Sequence, residues 1–197
     1  GDINLAAIGR PLTDKEKAQG LVAVPVSREK IAIIVGSDNP LSGNLTFEQF
    51  ARIFRGEITD WSQVGGTTGA IRFIDHPDYS DTLRSLSTYD VVKKAPFKTG
   101  SKATRVSQDD TAAIVRELGK DGISYAITDQ VIDLKNVRVI PMHKTMPDDP
   151  RYPYSQPRGY VYRKETSELG VLSFLGFATS AQGQGIVEVA KDQEVEA

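Results

Sequence analysis

The 197-residue chain carries 24 Lys and Arg against 26 Asp and Glu, and its net charge of −2 gives no general attraction for nucleic acid or an anionic membrane surface. It holds no cysteine, which excludes disulfides and thiolate metal sites, and no apolar run near the ~18 residues that mark a membrane span. That length suits one domain or two small lobes with a real core.

Ile3 to Ile8 is a short apolar run bounded by Gly9 and Pro11, and predicts a strand entering a loop. Thr13 and Glu16 have capping-box spacing before Gly20, so a short exposed helix is expected there. Leu21 to Val26 predicts a second strand, with Pro25 placing it at an edge or a bend. Ile31 to Val35 is β-branched and apolar, a separate buried strand closed by Gly36. Thr46 and Gln49 repeat the capping-box spacing, and Phe47, Phe50, Ala51 and Phe54 form one helical stripe that Gly56 stops. Trp61 follows as a core or lobe-surface anchor.

Ile71 to Ile74 predicts another short strand, and the loop 75 to 82 leads into a helix through Leu83, Leu86 and Val91 that ends before Pro96. Lys98 to Arg105 is a basic polar loop. Asp109 and Asp110 open a helix that runs to Leu118 and stops at Gly119. Ile123 to Ile127 and Val137 to Met142 predict strands, with a helical turn between them around Gln130 to Leu134. Residues 145 to 157 hold four prolines and predict a linker. Beyond it come a strand, Gly159 to Arg163, and a helix, Ser167 to Thr179, so apolar that burial is expected. A last helix, Ser180 to Ala190, precedes a frayed polar tail. Short strands alternating with helices imply a parallel or mixed sheet flanked by helices.

The strand at 31 to 35, Asp38-Asn39-Pro40, the run LTFEQFARIFRGEITDW (45 to 61) and VGG (64 to 66) together resemble the solute-binding proteins of ABC-type phosphate transporters. The likeness returns at DDTAAIVRELGKDGISYA (109 to 126), YPYSQPRGYVYRK (152 to 164) and FLGFATSAQGQGIV (174 to 187), so it covers most of the chain. It implies a two-lobed α/β fold of the type II periplasmic-binding-protein kind. Residues 1–36 plus 153–197 would form a discontinuous lobe and residues 37–152 an inserted one, with a hinge near 35–40 and 145–158. In that family a strand, a helix and a Gly/Ser-rich ligand loop precede the equivalent of Asp2. A front segment ahead of Gly1 is therefore expected, or else a first lobe that is incomplete.

The strongest candidate site is the loop at 75 to 82, where a strand end feeds a helix amino-terminus and offers free amides and a positive dipole to an anion. The family carries Arg-x-x-x-Ser-Gly-Thr at this place, and the register here gives His76, Ser80, Asp81 and Thr82. Ser80 and Thr82 match. His76 replaces the permanent cation, and Asp81 puts a carboxylate where glycine lets the ligand approach. Such a carboxylate repels a dianion by on the order of 1 kcal/mol at 4 Å in bulk water, and more in a partly dry cleft. The plain alternative is that Ser80 and Asp81 are helix caps and His76 a surface residue.

Arg10, after the first strand, is a second candidate that suits a two-pronged grip on an oxyanion, or else is an exposed surface arginine. Ser101, Lys102 and Arg105 could add positive charge at the rim, and Tyr79 and Tyr152 read as packing residues. Catalysis finds little support, with only His76 and His143 and no Gly-x-Ser-x-Gly elbow. His76, Ser80 and Asp81 are too close in one loop to aim as a triad. The histidines lack metal-ligand spacing, and Asp148-Asp149 sits in the proline-rich turn.

The resemblance thus implies a periplasmic or extracytoplasmic, non-enzymatic protein without cofactor. It would capture a small oxyanion in an interlobe cleft for an ABC permease, with no nucleic-acid partner and no membrane insertion. The rival expectation is a sensor or interaction module of the same fold, fused in a longer envelope protein, with a degenerate phosphate site.

Overall fold

The computed structural model describes residues 4–89, 100, 102–166 and 168–195. Its elements are β1 (Leu5–Ile8), α1 (Asp14–Ala18), β2 (Leu21–Gly36), α2 (Phe47–Phe54), β3 (Arg72–Asp75), α3 (Asp81–Leu86), β4 (Thr104–Arg105), α4 (Thr111–Leu118), β5 (Gly122–Ile127), β6 (Val137–Ile140), β7 (Ser155–Arg163), α5 (Leu169–Ala178) and α6 (Ala181–Val195). Two compact units result, Gly1–Glu29 with Ser155–Ala197 and Lys30–Tyr154. The expected helix end near Val91 and Pro96, and Ser101, lie outside the described residues.

The larger unit is built on the second half of β2. Ile31 to Gly36 are all buried, because β5 and β6 both pair antiparallel with this stretch, Ile33 opposite Tyr125 on one side and Ile140 on the other. β3 then runs parallel to β5, and β4 parallel to β3, giving a mixed sheet. Strand side chains alternate, so Ile31, Ile33 and Val35 face one core with Phe47, Phe50 and Phe54, while Ala32 and Ile34 face another with Ile74, Ile114 and Leu118. Burial on both faces is why the run reads as unbroken apolar sequence.

Both capping boxes form as expected. Thr46 Oγ1 accepts from the Gln49 amide at 3.1 Å while the Gln49 side chain accepts from the Thr46 amide at 2.8 Å. At the far end of β2 the backbone leaves no room for a side chain. A methyl group on Gly36 would run into the carbonyl of Gly119. Gly36→Ala is therefore expected to cost about 1–3 kcal/mol, read as a lower midpoint in urea unfolding.

The smaller unit holds β1, β7 and the first half of β2, with β1 antiparallel to β7 from Leu5 opposite Tyr162 to Ile8 opposite Gly159. Here β2 corrects a sequence expectation, since Leu21–Gly36 is one 16-residue strand rather than two. The polar run Ser27 to Lys30 looks like a break, but Arg28 and Glu29 have partners on β7. The Arg28 guanidinium donates to Ser155 Oγ at 2.9 Å, and Arg158 donates to Glu29 at 2.6 Å.

In the proline-rich stretch Tyr152 and Tyr154 are buried, the Tyr152 hydroxyl donates to the Ile31 carbonyl at 2.8 Å, and the Ile31 amide donates to the Tyr154 carbonyl. Two further expectations change. Helix α5 buries only Leu175 and Ala178, with Leu169 79% exposed and Phe174 and Phe177 also exposed. Hydropathy records how strongly a side chain prefers burial, whereas the amount buried depends on the surface offered, and Phe174 stays exposed while its ring meets that of Tyr160 edge-on at 4.9 Å. Helix α6 continues to Val195, through the segment expected to fray.

Candidate functional site

The corner where β3 passes into α3 is organised by a buried carboxylate. Asp75 ends β3 with no exposed surface, and its Oδ1 accepts from the His76 amide at 2.9 Å and from the Tyr125 hydroxyl at 2.6 Å. Its Oδ2 lies 3.4 Å from Arg105, which also pairs with Asp78 at 2.8 Å. Burial, followed by the negative charge of Asp75 and the hydrogen bond to it, pushes the Tyr125 phenol well above its ordinary range. The phenol stays protonated and remains a donor.

His76 is 4% exposed and points inward. Its Nδ1 lies 2.7 Å from Asp109 Oδ1, its Nε2 lies 2.8 Å from the Tyr125 carbonyl oxygen, and its ring packs 4.6 Å from that of Tyr125. For Asp109, burial acts to raise the carboxyl, but the hydrogen bond and charge of His76 and a hydrogen bond from Ser80 outweigh it. The net effect holds Asp109 below the usual carboxylate range.

Ser80 is fully buried and caps α3, its Oγ accepting from the Leu83 amide at 3.4 Å. Since that hydroxyl also bonds to Asp109, both of its hydrogen-bonding roles are filled inside the protein. Asp81, half-buried, and Thr82, buried, form the first turn of α3.

His76, Ser80, Asp81 and Thr82 therefore share one corner of the larger unit, as the sequence placed them, but two of the four are turned to internal partners. Arg10 belongs to the smaller unit. Its guanidinium forks onto Glu16, Nη1 to Oε2 at 2.8 Å and Nη2 to Oε1 at 2.7 Å. The hydrogen bond from Arg10, then that from the Thr13 amide, hold the Glu16 carboxyl well below its usual range. The α1 capping box thus takes up the fork that sequence reading assigned to a ligand.

Sequence reasoning missed Asp75 and Tyr125 and gave Asp109 only a helix-opening role. A carboxylate ending an apolar strand, as in Phe73-Ile74-Asp75, is the signal that could have drawn attention to Asp75. Among the described residues no group of three or more His, Cys, Asp or Glu is placed to hold a metal ion.

Across residues 1–182 the chain matches the family model of a PBP superfamily domain. It belongs to that superfamily. A phosphate-binding protein PstS of Borreliella burgdorferi is 27% identical over 93% of this chain and 70% of its own length. A phosphate ABC transporter substrate-binding protein of Clostridium perfringens, solved with bound phosphate, superposes with a TM-score of 0.80 at 25% identity, over 94% of this chain and 76% of that one. An ABC-type phosphate transport receptor of Vibrio cholerae gives 0.75 at 24% identity, over 94% and 78%. The last likeness is one of fold. The resemblance read from the sequence, and the α/β class with a sheet flanked by helices, are borne out.

Proposed function

We propose that this chain is an extracytoplasmic solute-binding protein that captures a small oxyanion, phosphate or a related anion, and delivers it to an ABC-type permease. The observation that carries the reading is the β3–α3 corner in a PBP superfamily chain, with Thr82 and the first-turn amides of α3 at its head. Early amides of a helix lack intrahelical acceptors and point along its positive end, which suits an oxyanion. The relatives from B. burgdorferi and C. perfringens are named for phosphate, which supports the ligand class. Capture is non-covalent and needs no cofactor. Among the described residues no helix is long and apolar enough to cross a membrane.

A second reading has its own support. His76 and Ser80 are committed to Asp109, and Asp81 sets a carboxylate beside the anion position, which fits a module of the same fold whose phosphate site has degenerated. Calorimetric titration with phosphate, sulfate and small carboxylates separates the two. Saturable heat with phosphate at one site per chain supports capture. Absence of heat with every anion tested would leave the degenerate module as the function.

A further inference from the structure

We propose that His76 and Asp109 form a proton-dependent clasp that fixes the 75–82 loop against the start of α4 and against β5. The inference rests on reading that loop as the oxyanion site and adds a mode of regulation to it. Both ring nitrogens of His76 face oxygen acceptors, the Asp109 carboxylate at 2.7 Å and the Tyr125 carbonyl at 2.8 Å. A carbonyl has no hydrogen to give, and neither does an ionised carboxylate. Satisfying both contacts takes a hydrogen on each nitrogen, which is the imidazolium.

Three elements meet through that ring. The loop supplies His76, Tyr125 belongs to β5, and Asp109 stands one residue before Asp110, the cap of α4. The charged and titratable groups around the ring are Asp109 ahead of α4, Asp75 on β3 with Arg105 of β4 on its far side, and Tyr125 on β5. Arg105 serves Asp75 and Asp78, so among the described residues the basic side chain that meets Asp109 is His76.

Loss of the ring proton leaves one hydrogen for two acceptors, the carbonyl of buried Tyr125 and the solvent-exposed Asp109 carboxylate. Either the Tyr125 carbonyl or the Asp109 carboxylate then loses its bond to the ring, and the contact that holds the loop to β5 or to the start of α4 opens. Asp109, held below the usual carboxylate range, stays charged on mild acidification, so the clasp stands while the ring carries a hydrogen on each nitrogen and opens on the alkaline side, where one of them is given up.

The test uses the full chain with isotope-labelled histidine. Ring-nitrogen NMR from mildly acid to mildly alkaline solution should show two protonated nitrogens on His76 at the acid end and one at the alkaline end, with His143 as the comparison ring. Amide-exchange protection at Ser80 and Leu83 should fall about ten-fold or more with the same midpoint. His76→Gln should flatten that profile. Asp109→Asn, which keeps the side-chain shape, should make the ring give up its second proton at lower pH and so guards against a His76 variant that fails to fold. A ring with one hydrogen throughout, or loop protection that ignores its titration, overturns the clasp. Sulfate, whose charge is constant over the range, then reports on the site. Affinity that falls with the clasp supports both readings. A titrating clasp with no binding of sulfate or phosphate at any pH supports the clasp and removes the oxyanion reading, and anion affinity independent of pH while the ring titrates overturns regulation by the clasp.

Discussion

Phe50→Ala is expected to remove about 3–5 kcal/mol of stability. Phe50 is fully buried on α2, its ring 4.8 Å from that of Phe54 and 6.1 Å from those of Phe47 and Tyr125. Truncation removes the transfer energy of the ring and leaves a hole that these neighbours cannot fill. Tyr125 is anchored by its hydroxyl to Asp75, and Phe54 by packing edge-on to Tyr125 at 5.7 Å. A domain of this size has roughly 5–15 kcal/mol in hand, so the variant sits close to its unfolding threshold. Urea unfolding measures the loss, and a change below about 1 kcal/mol would show that the aromatic cluster repacks.

Asp81→Gly is expected to strengthen binding of phosphate about ten-fold or more. The Asp81 carboxylate stands in the first turn of α3 between Ser80 and Thr82. There it helps the helix by about 0.3–1 kcal/mol through the positive end of the dipole. At the proposed oxyanion site it would also oppose an incoming anion, by about 1 kcal/mol at 4 Å in water and about 4 kcal/mol at the screening typical of a protein surface. The helix support acts on stability and the repulsion on the bound anion, so removal favours binding. Glycine adds a conformational cost of about 0.5–1 kcal/mol, which should appear as a modest loss of stability alongside the gain in affinity. Asp81→Asn keeps the side-chain size and separates charge from shape. Calorimetry with phosphate decides the matter, and unchanged or weaker binding in both variants would show that the carboxylate does not face the anion.

Much of the architecture was legible because it is local. The Thr13–Glu16 and Thr46–Gln49 boxes join residues three apart, and the phenylalanine stripe of α2 needs only the helical period. The unbroken apolar run at 31 to 35 announced a strand buried on both faces. Where expectation failed, the deciding partner was distant in sequence. Glu29 and Arg158, 129 residues apart, turned an apparent break into one long strand, and the surface available to α5 could not be read from α5 itself.

The candidate corner divides along the same line. The residue types and spacing of His76, Ser80, Asp81 and Thr82, their place ahead of a capped helix and the likeness to phosphate-binding proteins were all present in the chain. Which way His76 and Ser80 turn was not. Their partners lie on other elements, with Asp109 33 residues from His76 and Tyr125 49 residues from it. Only the ordering of β4, β3 and β5 brings them to the ring. Periodicity and capping act over three or four residues and so are written in the sequence. The charge and hydrogen-bond balance of a buried corner is a sum over strands that meet only once the sheet is assembled.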